Sequence, residues 1–179
     1  MKSEAITTRG ERSASPAAVS GSGRSAGRRG AVAPGSAWAL VTGAGSGIGR
    51  CYALRLAALG YNLVLAGNRR EPLETVCGEI LAAAGTGPDG DAPKATSAAG
   101  FRPDVRIVEI DLARAEAAAE LWEAVRREGA AIDVLVNNAG IFSFRDILHT
   151  PAERIERIIL LHDLTNTQLC RMAAADMVR

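Results

Sequence analysis

Tyrosine and lysine are scarce in this 179-residue chain, with only Tyr52, Tyr61, Lys2 and Lys94. Neither tyrosine has a lysine four residues on: Leu56 follows Tyr52 and Leu65 follows Tyr61. A Tyr–Lys pair one helical turn apart is therefore excluded within these residues. Cysteine is also sparse. Cys51, Cys77 and Cys170 are odd in number and widely spaced, which fits neither a disulfide framework nor a zinc site. That suits a reducing compartment, so the expected location is the cytoplasm and no metal is expected. No apolar run reaches the length of a membrane span. A net charge of +1 gives no preference for nucleic acid.

The charge is unevenly spread. Residues 1–36 carry a net +4 and the rest a net −3. The leader is rich in Ser, Gly, Ala and Arg and almost free of large apolar side chains, so it is expected to be disordered. Its arginine and serine content resembles an organelle transit peptide, which would change the location. A plain flexible extension or a start codon placed too far upstream are the alternatives.

From Trp38 onward, apolar runs alternate with helical patterns. Strands are predicted at residues 38–41, 62–66, 105–110 and 132–136. Helices are predicted at 48–59, 71–84 and 115–127, the last with Leu121, Trp122 and Val125 on one face. Residues 85–103 read as a flexible insertion, because connections in such folds are short. Thr150-Pro151-Ala152-Glu153 predicts a helix start, with Thr150 as cap, Pro151 in the first helical position and Glu153 completing a capping box. Helical periodicity then runs to the end, with a break near Asp163-Leu164-Thr165. Alternating strands and helices predict an α/β fold with a parallel sheet covered on both faces.

Two motifs stand at strand ends. Thr42-Gly43-Ala44-Gly45-Ser46-Gly47-Ile48-Gly49 lies between the first strand and the first helix. Glycines there let the backbone approach a pyrophosphate, and unpaired N–H groups at the helix start favour its charge. Asn137-Asn138-Ala139-Gly140 follows the fourth strand. In a doubly wound sheet ligands sit beyond the strands' carboxyl ends, where strand order reverses, and the first and fourth strands flank that point. An asparagine there offers donors and acceptors to backbone or cofactor; on its own the tetrad is also a plausible turn.

Together, in this order and about 90 residues apart, the two motifs resemble those of the short-chain dehydrogenase/reductase family over residues 37–179. The resemblance implies a Rossmann-like doubly wound sheet, an NAD or NADP cofactor, and hydride transfer between an alcohol and a carbonyl. It implies cofactor contacts from Thr42, Gly43, Ser46, Gly47, Ile48, Gly49, Asn138, Ala139 and Gly140. Asp111-Leu112 falls where family members contact the adenine, although Asp111 is equally placed to cap the next helix. After the second strand stand Gly67-Asn68-Arg69-Arg70, with no acid before Glu71 to hold the ribose hydroxyls of NAD. Arg69 or Arg70 is able to pair with a 2′-phosphate, so this stretch, with Asn68 in it, leans towards NADP, against the alternative of a solvated helix start. Some NADP-dependent members carry a basic residue where Ser46 sits.

The family's catalytic Ser and Tyr-x-x-x-Lys are absent. Asp163 stands at the family's helix Asn, in Asp163-Leu164-Thr165-Asn166-Thr167, where it is also readable as an ordinary polar helix residue. The expectation is an N-terminal portion of an oxidoreductase, inactive by itself, with the sheet incomplete on its C-terminal side and the fourth strand at an edge. The alternatives are a non-catalytic nucleotide-binding or partner-binding module, or a chain that does not fold stably. A small-molecule substrate and a homo-oligomer are implied for a complete chain only.

Overall fold

A computed structural model describes residues 33–85 and 101–178. Four parallel strands form one sheet in the order β3-β2-β1-β4. The strands are β1 (Trp38–Thr42), β2 (Asn62–Gly67), β3 (Val105–Glu109) and β4 (Ile132–Val136). Helices α1 (Gly47–Ala58), α2 (Arg70–Gly85) and α3 (Ala117–Arg127) fill the crossovers, and α4 (Ala152–Ile159) and α5 (Asn166–Met177) follow β4. The strand and helix expectations hold to within two residues.

β1 is paired on both edges and covered by helices on both faces, so it reads as an unbroken apolar run. The pleat sends alternate side chains to opposite cores. Ala39, Val41, Leu63 and Leu65 pack with Leu56 of α1 and Leu73, Val76 and Ile80 of α2. Leu40, Val64 and Ala66 pack with Leu121, Trp122 and Val125 of α3 and Leu169 and Ala173 of α5. The sheet is thus wound on both faces, as the alternation of strands and helices predicts. Among the described residues β4 pairs only with β1, so it forms a sheet edge.

Three local expectations are corrected. The ordered body begins before residue 37: the Gly35 N–H donates to the Gly60 carbonyl at 2.8 Å, and Asn62 Nδ2 donates to the Gly35 carbonyl at 3.0 Å. A small-residue turn needs no large side chain to dock when backbone groups hold it. Residues 1–32 of the expected leader and 86–100 of the expected insertion lie outside the described residues.

The capping box does not form. Pro151 is itself the cap, with φ −58° and ψ 143°, and its carbonyl accepts the N–H groups of Arg154 and Ile155. The Thr150 hydroxyl instead donates backwards to the Asp146 carbonyl at 2.9 Å, closing the 3-10 turn Ile147–His149.

The expected break near residue 163 is a π-helical stretch, Leu160–Thr165, that joins α4 to α5 without interruption. The Asn166 N–H reaches the Leu161 carbonyl five residues back. A π turn absorbs one extra residue while keeping backbone groups bonded, so a polar interruption in the sequence need not end the helix.

Candidate nucleotide site at the strand ends

All four strands point the same way, so their C-terminal ends lie on one edge of the sheet. β2 and β3 lie on one side of β1 and β4 on the other, so strand order reverses between β1 and β4. The glycine turn and the Asn-Asn-Ala-Gly segment meet at that crevice.

Thr42 joins them. It is fully buried at the end of β1, and a buried hydroxyl must find partners. Its Oγ1 accepts the N–H groups of Asn138 and Ala139, both at 3.0 Å, and donates to the Val136 carbonyl at 3.3 Å. Asn138 completes the clamp: its Nδ2 donates to the Thr42 carbonyl at 3.0 Å and the Gly43 carbonyl at 3.2 Å. The Asn138 amide donors are thus committed to shaping the turn.

Gly49 lies against this clamp. A Cβ there would overlap the Gly43 carbonyl oxygen and lie 2.5 Å from Asn138 Nδ2. Gly47, by contrast, has φ +52° and open space where a side chain would project. Ser46 is the cap of α1 in extended backbone, and its side chain caps nothing. The first N–H groups of α1 therefore have neither an intrahelical partner nor a side-chain cap, and no acid stands in the first turn. Ile48 is 70% exposed beside them. An open, uncapped helix start beside a close-packed glycine turn fits a phosphate group.

Asn68 and Arg69 are exposed beyond β2. Arg70 is tied to Glu74 at 2.8 Å, whereas Arg69 forms no ion pair among the described residues. Gly140 is exposed, and a Cβ on it would lie 3.2 Å from His162 Cε1. Leu112 stands beside Asp111 just past β3. Its side chain is 4% exposed within the core, and its carbonyl accepts the Thr165 hydroxyl at 2.9 Å. As an apolar residue following a strand end, it turns under the sheet.

Asp111 does not cap α3, which begins six residues later with Glu116 as its cap. Its Oδ1 accepts the Ala113 N–H at 3.0 Å, and Arg157 Nη2 of α4 lies 3.0 Å from Oδ2. Partial burial pushes the Asp111 carboxyl up. The Ala113 N–H and Arg157, with Arg114 beyond, outweigh that and hold it below the ordinary carboxylate range. A lowered folded value stabilises the fold above the unfolded value of about 3.9 and loses that contribution as pH falls through the folded value. The small melting-temperature difference between wild type and Asp111→Asn should accordingly be present at neutral pH and fade as pH falls through the lowered folded-state value. Thermal melts across that range check it.

Sequence reasoning missed the role of the helix α4–α5 as a strut. Arg157 holds Asp111, Thr165 holds Leu112, and His162 Nε2 lies 3.0 Å from the Ile141 carbonyl. These bonds fasten the loops after β3 and β4 to one helix. Nothing in their spacing marks them, because their partners lie 21 to 53 residues away. Asp163 is exposed in the π turn. Asn137 Nδ2 donates to the Asn166 carbonyl at 3.2 Å, which ties β4 to α5.

An open parallel sheet with a glycine turn at its switch point defines a Rossmann-like domain. The model of the short chain dehydrogenase family matches residues 37–179, and the chain belongs to that family of oxidoreductases. The chain is 28% identical over 147 residues to a very-long-chain 3-oxoacyl-CoA reductase of Pyrenophora tritici-repentis, covering 81% of this chain and 39% of that protein. It is 35% identical over 126 residues to retinol dehydrogenase 10-B of Danio rerio, covering 69% and 37%. Among solved structures it is similar to a short-chain dehydrogenase from Sphingobium yanoikuyae in complex with NADPH. That match has a TM-score of 0.64 and 30% identity and covers 79% of this chain and 49% of that one. The chain thus spans about two-fifths of the length of these curated relatives. Among the described residues no helix is long and apolar enough to cross a membrane, and no cluster of three or more His, Cys, Asp or Glu could hold a metal.

Proposed function

We propose that residues 37–179 form the dinucleotide-binding half of an NADP(H)-dependent oxidoreductase that interconverts an alcohol and a carbonyl. The observation that carries this reading is the Thr42–Asn138 clamp, which sets the glycine turn beside an uncapped start of α1 at the switch point. The nicotinamide, when bound, supplies or accepts the hydride. The N-terminal amides of α1 would hold the pyrophosphate, and Gly49 would keep the backbone close enough to reach it. Asp111 would accept from the adenine amine, and Ala139 and Gly140 would line the crevice towards the reacting end. The NADPH held by the Sphingobium structure supports the same assignment.

Among the described residues Arg69 is the cation left without an ion pair at the end of β2, and it favours NADP over NAD. Arg69→Ala is expected to weaken NADPH binding about tenfold or more and NADH binding less than about twofold. Fluorescence titration of the two reduced cofactors measures both. If both weaken equally, the preference for NADP is wrong.

The Ser and Tyr-x-x-x-Lys that complete the chemistry are expected in coding sequence downstream of Arg179, and unrelated sequence there would count against this reading. A second reading is a module that binds nucleotide without turnover, using the same Thr42–Asn138 cradle. It predicts that the purified chain binds NADPH yet oxidises none of it in the presence of a ketone.

A further inference from the structure

The segment after β3 is fastened on both sides of Asp111 by bonds that do not involve charge. The Ile110 N–H donates to the Gly67 carbonyl at 2.7 Å, and the Leu112 carbonyl accepts the buried Thr165 hydroxyl at 2.9 Å. Asp111 itself meets Arg157, whose Nη2 lies 3.2 Å from Oδ1 and 3.0 Å from Oδ2. The side chains of this pair are 40% and 42% exposed, and an ion pair so open to water adds little to stability. The loop backbone is already held without it. What Arg157 governs is the orientation of the carboxylate at the C-terminal edge of the sheet. An ionised carboxylate only accepts hydrogen bonds. It matches the exocyclic amine of a 6-aminopurine and opposes the oxygen that a 6-oxopurine carries at the same place.

We infer that Arg157 is a positioning residue that acts through Asp111 to make the purine end of the cofactor site selective for a 6-aminopurine over a 6-oxopurine. The inference rests on the NADP(H) reading above. Three observations converge on it. Arg157 comes from α4, outside both sequence motifs, yet it reaches Asp111, two residues past β3 on the sheet edge where both motifs lie. Arg114, the other cation near Asp111, is occupied by Glu120 of α3. The remaining contact from the helical strut, Thr165, is neutral and takes the backbone of Leu112. Arg157 is thus the cation that directly grips the Asp111 carboxylate.

The test titrates NADPH and its hypoxanthine analogue against the purified chain and its Arg157→Met and Arg157→Lys variants, following dihydronicotinamide fluorescence. The Asp111 carboxyl of the ligand-free chain is titrated in parallel by carbon-13 NMR. Arg157→Met is expected to weaken NADPH about tenfold and the hypoxanthine analogue less than about twofold, with the melting temperature nearly unchanged. The Asp111 midpoint should rise towards the ordinary carboxylate value, and Arg157→Lys should fall between. Unchanged selectivity, or an unmoved Asp111 midpoint, overturns the inference while the cofactor reading stands. A wild-type chain that binds neither nucleotide overturns the cofactor reading and this inference with it.

Discussion

Thr42→Val is expected to destabilise the chain by about 2–4 kcal/mol and to abolish NADPH binding. Valine has nearly the same shape, so the core keeps its volume and the loss is chemical. One hydroxyl oxygen accepts two backbone N–H groups, from Asn138 and Ala139, and donates to the Val136 carbonyl. Valine satisfies none of them. Thr42 is fully buried, so water cannot readily replace the lost partner. Two amides left without an acceptor each carry a desolvation cost, which is larger than the modest net gain of an ordinary hydrogen bond. The Asn-Asn-Ala-Gly segment would then lose its fastening to β1, and the cradle would open with it. Thr42→Ser keeps the hydroxyl and should cost only about 1 kcal/mol, through the missing methyl group. Urea unfolding of the three proteins, with NADPH fluorescence, separates these outcomes. A valine variant as stable as the serine variant would show that the clamp is not what joins the two motifs.

Gly49→Ala tests the same cradle by crowding instead of by lost bonds. The added Cβ would overlap the Gly43 carbonyl and crowd Asn138 Nδ2 at 2.5 Å. Both neighbours are fixed, one by the backbone of the turn and the other by its bonds to Thr42 and Gly43. The turn must therefore move, and overpacking of this kind costs about 1–3 kcal/mol. Binding should fall by more than about tenfold, because the displaced backbone is the part that approaches the phosphates. Gly78→Ala is the matched control. Gly78 lies in α2 with open space where a Cβ would project, so alanine should stabilise the helix by about 0.5–1 kcal/mol. If Gly49→Ala behaves like Gly78→Ala in melting and in titration, the close approach has no role.

Much of the fold was legible because its signals are local. β4 runs from Ile132 to Val136, as its short run reads, apolar but for Asp133 and bounded by other patterns. The face of α3 followed from the spacing of Leu121, Trp122 and Val125, all of which are buried. Capping was read less well. Thr150, Pro151 and Glu153 fit a capping box in sequence, but the preceding 3-10 turn took the Thr150 hydroxyl first. The sequence leads one to expect a break near Asp163-Leu164-Thr165. A π turn carries the helix through it, and that depends on backbone bonding invisible in side-chain order.

The sequence by itself determined the two motifs, their order, the alternation of strands and helices, and so the family and the edge of the sheet where a nucleotide would sit. Each of these depends on neighbours within a turn or a strand, where periodicity and glycine leave a local mark. Only the tertiary structure decided which side chains hold that edge together. Thr42 meets Asn138 across 96 residues, Arg157 meets Asp111 across 46, and Thr165 meets Leu112 across 53. Contacts at such separations form only once the sheet is paired and the last helix has packed against it. Hydrogen-bond geometry in three dimensions selects them, and a linear chain carries no trace of that geometry.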